Sequence, residues 1–337
     1  MIEATLGVRL EREIREQPGV WRRLAASDEA AALAQLLRGK EVAFVGSGSS
    51  RFAAQLGALA LRRRGVPAVA LAATEVRFEA PAYRGRTVVA LSQSGRSRDI
   101  LDAVEALEPA LLIALTNDAA SPLAGRSDLA FLLEAGVETA VPATKTVTAT
   151  VALLLWAAGL SGGPTERSAR TLAACADAVE AWLGGSGPDE VAGVAAQVAP
   201  LRSLVFVGSG YGVPVARELA LKVNEATYLH AEGFAAGEFR HGSAALLEAG
   251  TALCGIVDEA SRDLVERPLS EAARSGALRF AIGAGPAPEG VPVLGPLTAE
   301  AFNTLGWLVT GQLLALYVGR ARGIDGDAPR GLSKFLS

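Results

Sequence analysis

The sequence predicts an α/β fold made of two tandem, doubly wound parallel-sheet domains of flavodoxin-like organisation. Three observations carry this expectation. The segment EVAFVGSGSS is a short apolar run that ends in a Gly/Ser loop and feeds the helical pattern RFAAQLGALALRRRG, the strand–loop–helix opening of an α/β unit. Apolar runs and helical patterns then alternate through the first half of the chain. Finally, Phe44-Val45-Gly46-Ser47-Gly48 recurs as Phe206-Val207-Gly208-Ser209-Gly210, an offset of 162 residues, which is a domain-sized period.

The elements follow in order. Leu10 to Ala26 reads as a helix broken at Gln17-Pro18, because proline restricts the residue before it. Glu29 to Leu37 is a second helix with one apolar face. Besides the apolar run of EVAFVGSGSS, strands are expected at Ala68–Leu71, Thr87–Leu91, Ala110–Leu115 and Leu129–Leu133, and helices at Ile100–Leu107 and Thr144–Leu160. Gly162-Gly163-Pro164 breaks the last of these. A helix from Glu166 to Leu183 follows, and GGSGPD closes the segment. In the second copy TALCGIV at Thr251 answers TVVALSQ at Thr87, and the apolar helix near Leu316 answers the one near Leu154. The division is 1–163 for the N-terminal helices and first domain, 164–323 for the second, and 324–337 for a tail that carries Lys334.

Composition narrows the function classes. The 337 residues are half hydrophobic and one-fifth charged, as in a packed globular protein. A net charge of -4 argues against a nucleic-acid-binding surface. Cys175 and Cys254 lie far apart in sequence without metal-ligand spacing, and with two histidines they leave little for a metal site. The start, MIEATLGVRLEREIREQP, has no signal-peptide core, and the apolar stretches Ala152–Leu160 and Leu313–Val318 are too short to span a membrane. A cytoplasmic, soluble protein is expected, with no metal, cofactor, nucleic-acid or membrane partner.

The chemistry concentrates between Ala216 and Gly242, ARELALKVNEATYLHAEGFAAGEFRHG, which holds both histidines of the chain, His230 and His241. At about 100° per residue, Glu218, Lys222 and Glu225 share an arc of roughly 60° on one helix. The same spacing suits a solvated helix face with a weak i,i+4 pair. Against that, Leu219, Leu221, Val223 and Leu229 cover the remainder, and the helix runs into a Gly-punctuated segment with Glu232, Glu238 and His241. Lys, Glu and His gathered in this way are the parts of a proton-transfer site. His230 suits a structural role equally well.

Two loops of the first copy suit an anion. Gly46–Ser50 and Ser92-Gln93-Ser94-Gly95-Arg96-Ser97 each follow a strand and open a helix, offering hydroxyls and backbone N–H groups. At the matching place the second copy has Asp258-Glu259-Ala260-Ser261, whose carboxylates repel a phosphate. The copies are thus not equivalent. Neither Gly/Ser loop is a dinucleotide fingerprint or a P-loop.

With these segments in hand the sequence resembles the sugar isomerase (SIS) domain family, and most closely the isomerase half of the glucosamine-6-phosphate synthases, which carries two such domains. EIREQP at Glu13, LSQSGRS, ETAVPATK at Glu138, ALKVNEATYLHAE, AAGEFRHG and PRGLSK stand in the family's order across nearly the whole chain. The resemblance implies that Gly48, Ser49, Ser50, Ser92, Gln93, Ser94 and Ser97 hold the phosphate of a hexose or hexosamine phosphate, with Val141, Ala143 and Glu218 also at the substrate. It implies that Glu225 moves a proton between C1 and C2, that Lys222 steadies the enolate-like intermediate, and that Lys334 can form a Schiff base with the open ketose. His241 is implied as the ring-opening residue, offered across a homodimer. Asn224 and Arg240 stand where the synthases have lysines, and Ala143 where they have a serine; the changes at Asn224 and Ala143 bear on sugar specificity. The synthases' glutaminase domain has no counterpart in this sequence, so no ammonia source from glutamine is expected.

The implied activity is aldose–ketose isomerisation with loss of ammonia, glucosamine 6-phosphate giving fructose 6-phosphate. Galactosamine 6-phosphate or a sugar–amine adduct as substrate, simple isomerisation, synthesis from free ammonia, and a non-catalytic sugar-phosphate-binding regulator are the alternatives.

Overall fold

The computed structural model describes residues 5–160, 165–283, 288–298 and 302–334; the Gly162-Gly163-Pro164 break lies outside them. In chain order the first half reads α1 (Val8–Ala25), α2 (Glu29–Leu37), β1 (Val42–Gly46), α3 (Ser49–Arg62), β2 (Ala68–Ala72), α4 (Val76–Glu79), β3 (Thr87–Leu91), α5 (Arg98–Leu107), β4 (Leu111–Thr116), α6 (Pro122–Arg126), β5 (Leu129–Leu132) and α7 (Lys145–Leu160). The second half reads α8 (Thr165–Gly184), α9 (Gly187–Val198), β6 (Ser203–Gly208), α10 (Gly212–Thr227), β7 (His230–Ala235), α11 (Ala236–Phe239), β8 (Thr251–Val257), α12 (Arg262–Ser275), β9 (Leu278–Gly283), β10 (Val293–Leu294) and α13 (Asn303–Ala321).

The chain folds into two compact units. One gathers Gly19–Glu138, Lys145–Ala173 and the described tail residues Ser333 and Lys334. Its five-stranded parallel sheet has the order β2-β1-β3-β4-β5. Every residue of β1 and β3 is buried, as expected of parallel strands covered on both faces. Ala43, Val45, Val88 and Ala90 turn one way, against Ile100, Ala103, Val104 and Leu107 of α5. Phe44 turns the other way, towards α3 and α7. There Gly57 makes room: a Cβ at that position would come within 2.9 Å of Leu154.

The other unit contains the residues up to Pro18, Thr139–Thr144 and Ala174–Leu332. Its parallel sheet, β10-β9-β8-β6-β7, repeats the order of the first when read from β7. Val205, Val207, Leu253 and Ala281 pack on Val265, Leu269 and Ala272 of α12. On both sheets the chain leaves two neighbouring strands in opposite directions, β1 and β3 in one, β6 and β8 in the other. Such a switch point is where open α/β sheets bind ligands.

Three sequence expectations are corrected. First, α1 is not broken at Gln17-Pro18 but runs from Val8 to Ala25 with Pro18 inside it. Proline cannot supply an N–H to the carbonyl four residues back, that of Ile14. Gln17 Nε2 donates to that oxygen instead, at 3.0 Å, and also to Gln312 Oε1 at 2.8 Å. Second, GGSGPD does not simply close a segment: Pro188 sits in the first turn of α9, where a missing N–H costs nothing. Third, the tail is not a piece apart: up to Leu332 it belongs to the unit of the second sheet, while Ser333 and Lys334 belong to that of the first. Asp327 accepts from the Arg9 and Leu10 N–H groups at 3.0 and 2.7 Å, satisfying donors in the first turn of α1. Asp325 accepts from Gly7 N at 2.9 Å.

Candidate active site

Lys222 lies between two carboxylates. Its Nζ is 2.5 Å from Glu225 Oε2 and 3.7 Å from Glu218 Oε1. The side chains of Lys222 and Glu218 are 3% and 1% exposed, and that of Glu225 is 19% exposed. The stripe is therefore no solvated face. The cause lies in packing: α10 is covered by the sheet on one side and by α13 on another, with Leu219 pressed so closely on Gly311 that no Cβ fits there. A buried ion pair of this kind is expensive to desolvate, so its presence points to a function beyond stability.

The helix ends at Thr227 because Tyr228 turns into the left-handed region, at φ 54°. Leu229, grouped with the helix on sequence grounds, lies beyond its end. The next residues form β7, a parallel edge strand paired with β6. Asn224 fixes this corner: its Nδ2 donates to Ala231 O at 2.9 Å, and its Oδ1 accepts from Ala231 N at 2.8 Å. The departure at Asn224 thus serves as a backbone clamp. His230 is exposed on β7, 3.4 Å from Glu232. His241 is exposed beyond α11, with its N–H donating to Glu238 O at 3.0 Å. Among the described residues its imidazole has no partner. Arg240 pairs with Glu271 at 3.0 Å.

The two Gly/Ser loops follow β1 and β3, side by side at the switch point of their sheet. In the first, Ser50 N donates to Ser47 O and Arg51 N to Gly48 O, closing the entry to α3. Gly46 is required there, since a Cβ would lie 2.5 Å from the Ser50 carbonyl; Gly48 has φ 53°. Gly48 is exposed and Ser49 and Ser50 are half-buried. Ser47 Oγ, not singled out from the sequence, is buried and without a partner among the described residues. In the second loop Ser92 is buried and its Oγ accepts from Gly95 N at 3.1 Å. Ser94 Oγ accepts from Arg96 N at 3.2 Å. Gln93, Ser94 and Ser97 are half-buried. Ser97 stands at the N-cap of α5 yet its hydroxyl bonds no helix N–H. The Arg96 guanidinium is tied to Asp118 at 2.7 Å and holds that carboxyl below its usual range. In the second sheet's corresponding loop, Asp258 accepts from both Ser261 N and Ser261 Oγ.

Lys334 Nζ lies 2.9 Å from Glu138 Oε2, with the two side chains 14% and 0% exposed. Glu138 also accepts from Thr146 N at 3.2 Å and Thr146 Oγ1 at 2.7 Å. Glu138 and Thr146 are not among the site residues expected from the sequence. The signal was present, since ETAVPATK was already a motif, but the ion pair spans 196 residues. Val141 and Ala143 are half-buried in the segment that Glu13 anchors through Thr139 N at 2.5 Å and Thr139 Oγ1 at 3.0 Å.

Other chemistries find less. Burial pushes the Cys175 thiol up to about 12 and the Cys254 thiol well above its ordinary value, so neither is an activated nucleophile. Among the described residues no cluster of His, Cys, Asp and Glu could hold a metal ion, and no helix is long and apolar enough to cross a membrane.

The SIS domain model matches residues 35–159 and 198–284. The glutamine–fructose-6-phosphate aminotransferase (isomerizing) of Leifsonia xyli is 32% identical over 320 residues, covering 88% of this chain and 52% of that protein. The chain thus spans about half the length of the curated relatives it matches. The C-terminal domain of the Francisella tularensis glucosamine-fructose-6-phosphate aminotransferase superposes with a TM-score of 0.81 at 26% identity, covering 97% of this chain and 99% of that one. The Escherichia coli tagatose-6-phosphate ketose/aldose isomerase gives 0.81 at 25% identity, covering 94% of each. Two parallel sheets of one strand order, matched one after the other by the same domain model, make this chain a member of the SIS domain family.

Proposed function

We propose that the chain acts on a hexosamine 6-phosphate, converting glucosamine 6-phosphate to fructose 6-phosphate and ammonia. The observation that carries this reading is the buried contact of Lys222 with Glu225 at 2.5 Å, a carboxylate base with an ammonium beside it. The Gly/Ser loops, through Ser49, Ser50, Ser92, Gln93, Ser94 and Ser97 with the backbone at Gly48, hold the phosphate. Val141, Ala143 and Glu218 complete the substrate's surroundings. His241 opens the sugar ring; its exposure suits a residue offered to the second subunit of a homodimer. Glu225 takes the proton from C2 of the open aldose and delivers it to C1, which turns the C2 amine into an imine. Lys222 steadies the negative charge that develops on the C1 oxygen. Lys334 adds at C2 and ammonia leaves; water then frees the ketose and regenerates the amine.

The test is ammonia release and ketose phosphate formation from glucosamine 6-phosphate, in the wild type and in Glu225→Gln. Turnover that falls at least about a hundredfold in the variant is the expected result. Tight sugar-phosphate binding by calorimetry without turnover would instead mark a binding protein. Turnover only with galactosamine 6-phosphate would move the substrate and keep the chemistry.

A further inference from the structure

Lys334 is engaged by a buried carboxylate. Its Nζ donates to Glu138 Oε2 at 2.9 Å, the carboxylate is fully buried, and the Thr146 hydroxyl and N–H hold that carboxylate in place. A lysine attacks a carbonyl only as the neutral amine, so a nitrogen engaged with a carboxylate must give up a proton and leave that contact first. We infer that Glu138 is the positioning residue of Lys334: it holds the nitrogen in a buried ion pair, and the pair must open before the amine reaches a carbonyl carbon.

This inference rests on the proposed role of Lys334. The step balances. The ammonium gives one proton to Glu138, and the free nitrogen bonds to the carbonyl carbon. The carbinolamine oxygen takes up protons and leaves as water, one of them returned by Glu138. Ammonium and carbonyl become protonated imine and water, with Glu138 again a carboxylate beside the positive nitrogen. The bland alternative is a tether, in which the pair serves only to pin the end of the chain.

The experiment uses formaldehyde as the carbonyl, with cyanoborohydride to trap each imine as a methylated lysine. Methylation of Lys334 and Lys222 is followed by mass spectrometry at one fixed pH. Glu138→Gln keeps the side-chain shape and removes the charge, so Lys334 should methylate at least about tenfold faster while Lys222 does not change. Thr146→Val, a milder change, should raise the Lys334 rate alone by about threefold, since it removes one of the bonds that hold the carboxylate. Cleavage by trypsin after Arg330 should stay as in the wild type in both variants. An unchanged Lys334 rate in either folded variant would overturn the inference. So would a rise accompanied by faster cleavage at Arg330 or faster labelling of Lys222, which marks a released tail or a loosened fold. Because formaldehyde needs no sugar site, this result stands apart from the proposed function: failure of glucosamine 6-phosphate turnover with the expected labelling pattern would remove that substrate and leave the latch.

Discussion

Lys222 shows what a single buried charge demands of its surroundings. Its side chain is 3% exposed and its neighbours Glu218 and Glu225 share one helix face with it. Removing the ammonium leaves Glu218 buried beside no cation from that position. Lys222→Met should therefore lose about 3–5 kcal/mol of stability, read from urea unfolding; a loss below about 1 kcal/mol would show that the charges are well solvated. The shared arc of the three charges was legible in the sequence, because helix periodicity is local. Their burial was not, because it depends on α13, whose Gly311 receives Leu219 from 92 positions earlier. Glu138 makes the same point. Nothing within a few residues of it identifies Lys334 as its partner, so it read as part of a motif and not as a side chain with a role.

At the scale of the element, local signals were read correctly where they were strong and misread where a distant side chain compensates. The apolar runs of β1 and β3 and the long apolar helix α7 appear where expected, since buried parallel strands and helices leave continuous hydrophobic patterns. The strand β7 was missed because HAEGFA is a half-exposed edge strand with His230 and Glu232 facing out. The break at Pro18 was misplaced because the rule considers only the backbone, and Gln17 replaces the lost donor. Gln17→Ala should accordingly destabilise the protein by about 1–2 kcal/mol in denaturant melts, by leaving the Ile14 carbonyl unmatched. Adding Pro18→Ala should recover much of that loss, since alanine at this position brings back the N–H. Strictly additive effects of the two changes would contradict this account.

The two sheets share one strand order but carry different loops at their switch points. The first sheet's switch point carries the Gly/Ser loops, while the corresponding loop of the second turns inward on Asp258. The repeat and its asymmetry could both be read from sequence; the way the chain ends are secured could not. Asp327 caps α1 from more than three hundred residues away, so Asp327→Ala should speed hydrogen exchange at the Arg9 and Leu10 amides and cost about 1–2 kcal/mol. Unchanged exchange at those amides would mean that the cap carries no weight. The central claim is that this member of the SIS domain family enolises a phosphosugar with Glu225 as the base. Exchange of substrate carbon-bound hydrogen with D2O, followed by NMR with fructose 6-phosphate and with glucosamine 6-phosphate, tests it most directly. Deuterium should enter at C1 or C2 with the wild type and not with Glu225→Gln. Exchange that persists in the variant, or a wild type that binds both sugars and exchanges neither, would contradict it.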